Sequence, residues 1–282
     1  EEYKSTFSRL KLRAAAGSVG NDDIGGIRRF AYLTTIDTSA PGYNFGYDSG
    51  TYFSGVQEGE IGVTDLTWER SFKTNLGFEL GLWNSLNLQF DIFNEDRSNI
   101  FMQRSTIPSQ TGFISTPYAN FGKVNNRGLE AELSYSKRFE NDLFVSLRGT
   151  FTYAKNTIIE IDEPESIKGS YRSQTGQSIG TLKGLTALGL YTEEDFDSEG
   201  NLLPGLPIPQ LGGLVRPGDI KYADKNEDGF IDDQDYGYIG GTSMPPCVYG
   251  FGGSLNWKQF DFNFFFQGQA KTYRMIGGSS YF

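Results

Sequence analysis

Residues 224–235 hold a dense, regularly spaced run of oxygen donors. Asp224, Asn226, Asp228, Asp232 and Asp235 fall at positions 1, 3, 5, 9 and 12 of a twelve-residue stretch, with Gly229 at position 6 and Phe230 at position 7. A hard cation such as Ca2+ takes about six to eight oxygens around a sharp turn. This spacing offers side-chain oxygens, the Phe230 backbone carbonyl, and a glycine where the turn is tightest. Ile231 occupies the apolar anchor position. The pattern departs from a helix–loop–helix site at position 12, where Asp235 stands in place of a bidentate glutamate, and no helical pattern flanks it. We read it as an isolated calcium loop with a structural ion. The competing reading is an Asp/Asn/Gly-rich turn that folds without metal by bonding side chains to its own backbone.

Nothing else in the chain assembles a catalytic set, and an enzyme is not expected. There is no histidine and a single cysteine, Cys247. Ser–His and Cys–His nucleophiles are thereby excluded, as is any intrachain disulfide. Glu130 and Glu132 project the same way from one strand, about 7 Å apart by strand rise. An inverting glycosidase tolerates such a separation, but carboxylates on a polar wall are the simpler reading. The glycines of 237–241 belong to a turn, since no strand–helix unit follows them. Asp162, Glu163 and Glu165, like Glu193, Glu194, Asp195 and Asp197, read as solvated loop faces. The proline-rich run 203–210 reads as a stiff extended connector.

The net charge of the 282-residue chain is −10. Residues 160–199 hold nine acids against three bases and residues 218–235 hold seven against two, so those two stretches carry −11 and the remainder is near neutral. The acidity belongs to loops, and nucleic acid is excluded as a partner.

The elements that must carry these residues alternate with period two, the mark of strands with unlike faces. Aromatics make up 15% of the chain and glycines number 36, a composition of half-buried strands and turns rather than helices. Leu143, Val145, Leu147, Phe151 and Tyr153 alternate with Ser146, Arg148, Thr150 and Thr152. Leu129, Ala131, Leu133 and Tyr135 alternate with Glu130, Glu132 and Ser134. Residues 72–82 and 86–93 repeat the unit, as do 248–257 and 260–267, and a further strand opens the chain at 10–17. Seven strands result. Short connections near 84, 141 and 258 alternate with long ones at about 18–67, 98–120 and 157–245. An antiparallel meander then gathers all long loops at one end. Outer-membrane barrels have that asymmetry, with short periplasmic turns and long extracellular loops. The aromatic face meets outer-membrane lipid, while Glu79, Asp91, Glu130, Glu132, Arg148, Asp261 and Asn263 line the lumen. Trp68, Trp83, Trp257 and Phe260 sit where interfacial aromatic girdles belong. Seven strands do not close a transmembrane barrel, so the expected fold is all-β, an antiparallel meander forming part of a larger one.

Several segments resemble the barrel strands of SusC/RagA-type TonB-linked outer-membrane receptors. They are residues 10–21 (LKLRAAAGSVGN), 68–77 (WERSFKTNLG), 126–130 (NRGLE) and, most specifically, 217–232 (PGDIKYADKNEDGFID), followed by Ile239-Gly240 and 245–252 (PPCVYGFG). The resemblance spans essentially the whole chain. It implies a 22-stranded barrel occluded by an N-terminal plug, in the outer membrane of a Gram-negative bacterium. It also implies a SusD-like surface lipoprotein as lid, energy delivered through TonB, and oligosaccharide or peptide nutrients as substrates. On this reading residues 1–282 are an interior-to-late piece of such a barrel. The plug and the TonB-contacting region lie outside it, and Phe282 is not a barrel-closing terminus. The alternative class is a soluble secreted calcium-binding β-domain of adhesin or carbohydrate-binding type. The two differ at Phe260, Phe262, Phe264 and Phe266, which a receptor exposes to lipid and a soluble domain buries.

Overall fold

A computed structural model describes residues 6–23, 30–47 and 50–277. In chain order its strands are β1 (Phe7–Asn21), β2 (Ile36–Phe45), β3 (Thr51–Glu58), β4 (Glu69–Leu82), β5 (Leu86–Gln103), β6 (Tyr118–Arg138) and β7 (Leu143–Glu160). There follow β8 (Thr181–Gly184), β9 (Ala187–Leu190), β10 (Ile208–Pro209), β11 (Ile220–Tyr222), β12 (Phe230–Ile231), β13 (Gly237–Thr242), β14 (Cys247–Trp257) and β15 (Phe260–Ala270).

Seven of these form one antiparallel sheet in the order β1-β4-β5-β6-β7-β14-β15. They are the seven strands expected from the alternation. The connections β4–β5, β6–β7 and β14–β15 are short and lie at one end; β1–β4, β5–β6 and β7–β14 are long and lie at the other. The sheet does not close on itself, as a meander with the composition of a partial barrel requires. Phe282 lies outside the described residues.

Among the described residues no second layer covers the sheet. Leu10, Leu12, Leu76, Phe260 and Phe262 are each more than 60% exposed. The largest fully buried side chains among the described residues, Ile231 and Asp235, sit in the third long connection instead. A soluble sandwich packs one face of every sheet against a second. Here the apolar face is bare, and lipid is the solvent that such a face fits. Phe264 is half-buried, flanked by Phe262 and Phe266 with ring centroids 6.0 and 6.1 Å away.

Strand register separates the faces cleanly. Leu76, Ile92, Leu129, Tyr153, Cys247 and Ala270 are successive partners in one outward row. The next row toward the long loops is polar: Thr74, Asn94, Arg127 and Lys155. The apolar band therefore ends part-way up the sheet. β6 has 21 residues and β5 and β7 have 18 each, against the roughly 9–11 needed to cross hydrocarbon. About half of each of these strands exceeds that length.

The loops carry their own small sheets, β2–β3, β8–β13, β9–β11 and β10–β12. Residues 203–210 are not a plain extended connector. The chain turns at Gly205, whose φ is +95°, and β10 then pairs in parallel with β12. The pairing comes from Ile208 N–H donating to the Gly229 carbonyl at 2.9 Å and Gln210 N–H to the Ile231 carbonyl at 2.8 Å. The prolines stiffen that segment without preventing it from docking, because the donors it needs are at Ile208 and Gln210.

Candidate functional site

The polar face of the seven-stranded sheet is built by register. Gly77, Asp91, Glu130 and Thr152 are successive partners in one row, with Arg13 beside Gly77. The adjacent row runs Lys11, Glu79, Gln89, Glu132 and Thr150. Arg148 pairs with Ser134, Asn263 with Ser254, and Asp261 with Asn256. Glu79, Asp91, Glu130, Glu132, Arg148, Asp261 and Asn263 thus share one face, as the alternation of each strand demands.

Five of these groups, Glu79, Asp91, Glu132, Arg148 and Asp261, meet partners across strands. Glu79 meets three cations of β1: Arg9, Lys11 at 3.5 Å and Arg13 at 3.1 Å. Arg13 also reaches Asp91 at 2.7 Å, and Gln89 donates to the same carboxylate at 3.4 Å. Arg148 meets Glu132 at 3.0 Å. Asn256 donates to Asp261. Higher on this face Lys73 lies 3.6 Å from Glu95, Ser71 donates to Glu95 at 2.5 Å, and Arg97 pairs with Glu69. The side chains of Glu79 and Asp91 are only 12% exposed, so their partners neutralise charges that water reaches poorly. A wall of fixed, alternating charge and amide groups offers hydrogen bonds to polar solutes without presenting one strong field.

Residues 224–235 fold as a tight turn in which the side chains serve the backbone. Asp224 accepts from Glu227 N–H at 2.7 Å and Gly229 N–H at 2.8 Å. Asn226 and Asp228 accept from Asp228 N–H at 3.3 Å and Phe230 N–H at 2.9 Å, and Asn226 donates to Asp228 at 2.7 Å. Gly229 takes φ +86° at the sharp position. Asp232 caps the short 3-10 turn Asp233–Asp235, accepting from Gln234 N–H at 2.7 Å. Asp235 is wholly buried and accepts from Lys225 N–H at 2.7 Å and Asp232 N–H at 2.9 Å. Among the described residues no group of three or more His, Cys, Asp or Glu side chains converges as a metal site.

Two carboxylates assigned to solvated loop faces are buried instead. Asp162 accepts from Arg104 at 2.8 Å, Ser105 N–H at 2.7 Å, and both the N–H and the hydroxyl of Thr106, at 3.1 and 2.9 Å. Burial alone raises its pKa, but the guanidinium and these donors outweigh that and hold the carboxyl far below its ordinary range. Glu163 is likewise buried; burial opposes its ionisation, and donors from Gln174 N–H, Ser173 and Thr175 lower its pKa. Asp162 pins the start of the third long connection to the second, and Glu163 ties it to residues 173–175 of the same connection. Asp195 is also engaged, meeting Lys221 at 2.8 Å and Thr192 N–H at 2.9 Å. A charge count does not distinguish an anchoring carboxylate from a solvated one; the signal was that Asp162 and Glu163 directly follow a strand end and precede Pro164.

The loop aromatics form small clusters. Phe45 lies 5.2 Å from Tyr43 and 5.6 Å from Phe53, and Phe101 stacks on Tyr118 at 5.2 Å.

Comparison with known proteins supplies the context for this geometry. Residues 10–281 match the family model described as TonB dependent receptor-like, beta-barrel. TonB-dependent receptor P26 of Formosa agariphila is 27% identical over 277 residues, covering 95% of this chain and 26% of that protein. TonB-dependent receptor SusC of Bacteroides thetaiotaomicron is 23% identical over 279 residues, covering 95% and 26%. Among solved structures, the RagAB peptide importer in its open-open state superposes with a TM-score of 0.65 at 19% identity, covering 95% of this chain and 26% of that one. The closed-closed state gives 0.63 at 17% identity. At such identity the likeness is one of fold. The chain spans about a quarter of the length of the relatives it matches.

Proposed function

The chain belongs to the TonB-dependent receptor β-barrel family, an outer-membrane family of Gram-negative bacteria, and from that premise we propose that it forms part of the wall of a TonB-driven importer of oligosaccharides or peptides. The carrying observation is the two-faced sheet: a bare apolar band on one side and a cross-strand network of paired charges on the other. An importer for large polar solutes needs that combination, because the lipid face repels water while the inner face replaces the hydration of the passing molecule. SusC and the RagAB structures support a surface lipoprotein of SusD type as partner. The aromatic clusters of the long loops lie at the end where such a lid and its cargo would meet the barrel.

Two measurements on the full-length receptor test this reading. In a background with Cys247→Ala, Asn263→Cys should react in intact outer membranes with a water-soluble maleimide, whereas Phe262→Cys should be shielded by lipid. Uptake of an oligosaccharide or peptide mixture should cease in cells lacking TonB. Uptake that persists without TonB rejects the import mechanism, and equal labelling at both sites rejects the assignment of faces.

For residues 224–235 we propose a structural calcium site narrowed to Asp224, Asn226, Asp228 and the Phe230 carbonyl. The support is the sharp turn at Gly229, around which these groups are already drawn by backbone N–H donors. Asp224 and Asp228 accept donors on both carboxylate oxygens, so an ion would replace those bonds; Asp232 and Asp235 are left out because their bonds hold the 3-10 turn Asp233–Asp235 rather than the turn at Gly229. Calcium-dependent protease protection of the loop tests the proposal.

A further inference from the structure

On the polar face the cations find acids: Arg9, Lys11 and Arg13 share Glu79, Lys73 meets Glu95, Arg97 meets Glu69, and Arg148 meets Glu132. The outward face behaves differently. Arg127 and Lys155 are direct partners on β6 and β7, and both are exposed. Neither has a carboxylate oxygen within 4.0 Å among the described residues. The same holds for exposed Lys271, which follows the end of β15 and lies 5.7 Å from the ring of Tyr153. Like charges facing each other across a strand pair cost stability unless something neutralises them. The outward acid nearest by register, Asp96, pairs with Asn125 one row higher and is held there by Asn94 and Asn125 at 2.8 and 2.7 Å.

The position of these cations is specific. Arg127 and Lys155 stand in the first polar row above Leu129 and Tyr153, and Lys271 follows Ala270 of the same apolar row. On β6, β7, β14 and β15 these positions stand about ten residues above the short turns, the strand length that crosses the hydrocarbon, so they reach the headgroup level of the outer leaflet. Lys155 and Lys271 also line one cleft of about 500 Å3, together with Tyr153, Tyr273, Thr181 and Thr242. Two ammonium groups, two phenol rings and two hydroxyls line this recess, and Arg127 stands beside it as the register partner of Lys155.

We propose that Arg127, Lys155 and Lys271 bind the phosphate-bearing headgroup of an outer-leaflet membrane lipid, whose acyl chains lie along the apolar row below. The occupant is a lipid rather than a soluble anion because the cations crown the band on its lipid side and the continuous row from Leu76 to Ala270 runs beneath them. The proposal rests on the membrane-barrel reading and adds a defined site to it.

The test uses the intact receptor extracted from outer membranes, with bound lipid counted by native mass spectrometry. The triple variant Arg127→Gln, Lys155→Gln, Lys271→Gln should retain at least ten-fold less phosphorylated lipid A than the unaltered protein. Lys168→Gln, a loop cation, should retain the normal amount. Arg127→Lys, Lys155→Arg, Lys271→Arg should restore binding, which guards against a folding defect in the neutral variant. Phosphatase-treated lipid A should bind the unaltered receptor as weakly as intact lipid A binds the neutral variant. Equal retention by the neutral triple variant overturns the proposal. Displacement of the lipid by inorganic phosphate at the same concentration shows a site for free anions and also overturns it. Failure of the receptor to reach the outer membrane sinks the barrel reading instead, and is seen separately by membrane fractionation.

Discussion

The carboxylate of Asp91 lies directly over Gly77, its partner on the neighbouring strand. A Cβ built at Gly77 would sit 2.1 Å from Asp91 Oδ1. No side chain fits there, so the glycine is what allows Asp91 to reach back toward Arg13.

Gly77→Ala should therefore push Asp91 away from Arg13. The expected cost is about 1–3 kcal/mol, as for leaving a poorly hydrated charged group without its partner. Heat-induced loss of the folded receptor's gel mobility measures it. Gly149→Ala, on the outward face with open space around its Cβ position, should be nearly neutral. Equal effects would show that the Asp91 contact contributes nothing.

Glu79→Gln removes the shared partner of Arg9, Lys11 and Arg13. Three cations then crowd one strand, and β1 should loosen from β4. Faster amide exchange along Arg9–Arg13 in the variant, with β14 and β15 unaffected, is the expected pattern. Uniform exchange rates would contradict it.

Phe264→Arg should impair assembly of the parent barrel, since a charge on the lipid face near mid-bilayer costs about 2–4 kcal/mol. Asn263→Arg, one residue away on the polar face, should assemble well. Outer-membrane yields of the two variants decide the matter, and similar losses would mean the faces are reversed.

Asp162→Asn should free the start of the third long connection. The folded-state pKa of Asp162 is lowered from the ordinary 3.8, so its contribution is fully present above that value and is lost as pH falls toward the folded-state pKa. Proteolysis of the loop should be faster in the variant at pH 7, and the difference should shrink progressively below about pH 4. A difference that stays constant with pH would show that ionisation of Asp162 is not what holds the loop.

Asp224→Ala with Asp228→Ala should abolish any calcium-dependent protection of residues 224–235. If calcium and chelator leave the unaltered loop equally protected, the backbone-bonded turn stands alone without metal.

The sheet was legible in the sequence because period-two alternation is a local signal. Leu129, Ala131 and Leu133 against Glu130 and Glu132 specify both strand and face without reference to any neighbour. The partner of Glu79 was not legible, because Arg9, Lys11 and Arg13 lie far away in sequence and meet it only through the β1–β4 register. Asp162 was misread for the same reason: the donors that bury it, on Arg104, Ser105 and Thr106, belong to a different loop. Residues 203–210 were half-read. Their prolines gave the stiffness, while the pairing of β10 with β12 depended on where Gly229 and Ile231 fold.

The length of β6 has a further consequence. Its 21 residues, at about 3.4 Å each and tilted by about 45°, rise roughly 50 Å, of which the hydrocarbon takes about 30 Å. Roughly 20 Å of hydrogen-bonded sheet is left above the lipid as a rigid chimney, and the long loops spring from its rim rather than from the membrane. A protease that shaves whole cells should find its scissile bonds on that rim and spare the paired backbone below. A bulky visitor from outside likewise meets the mouth of the chimney well before it meets the bilayer.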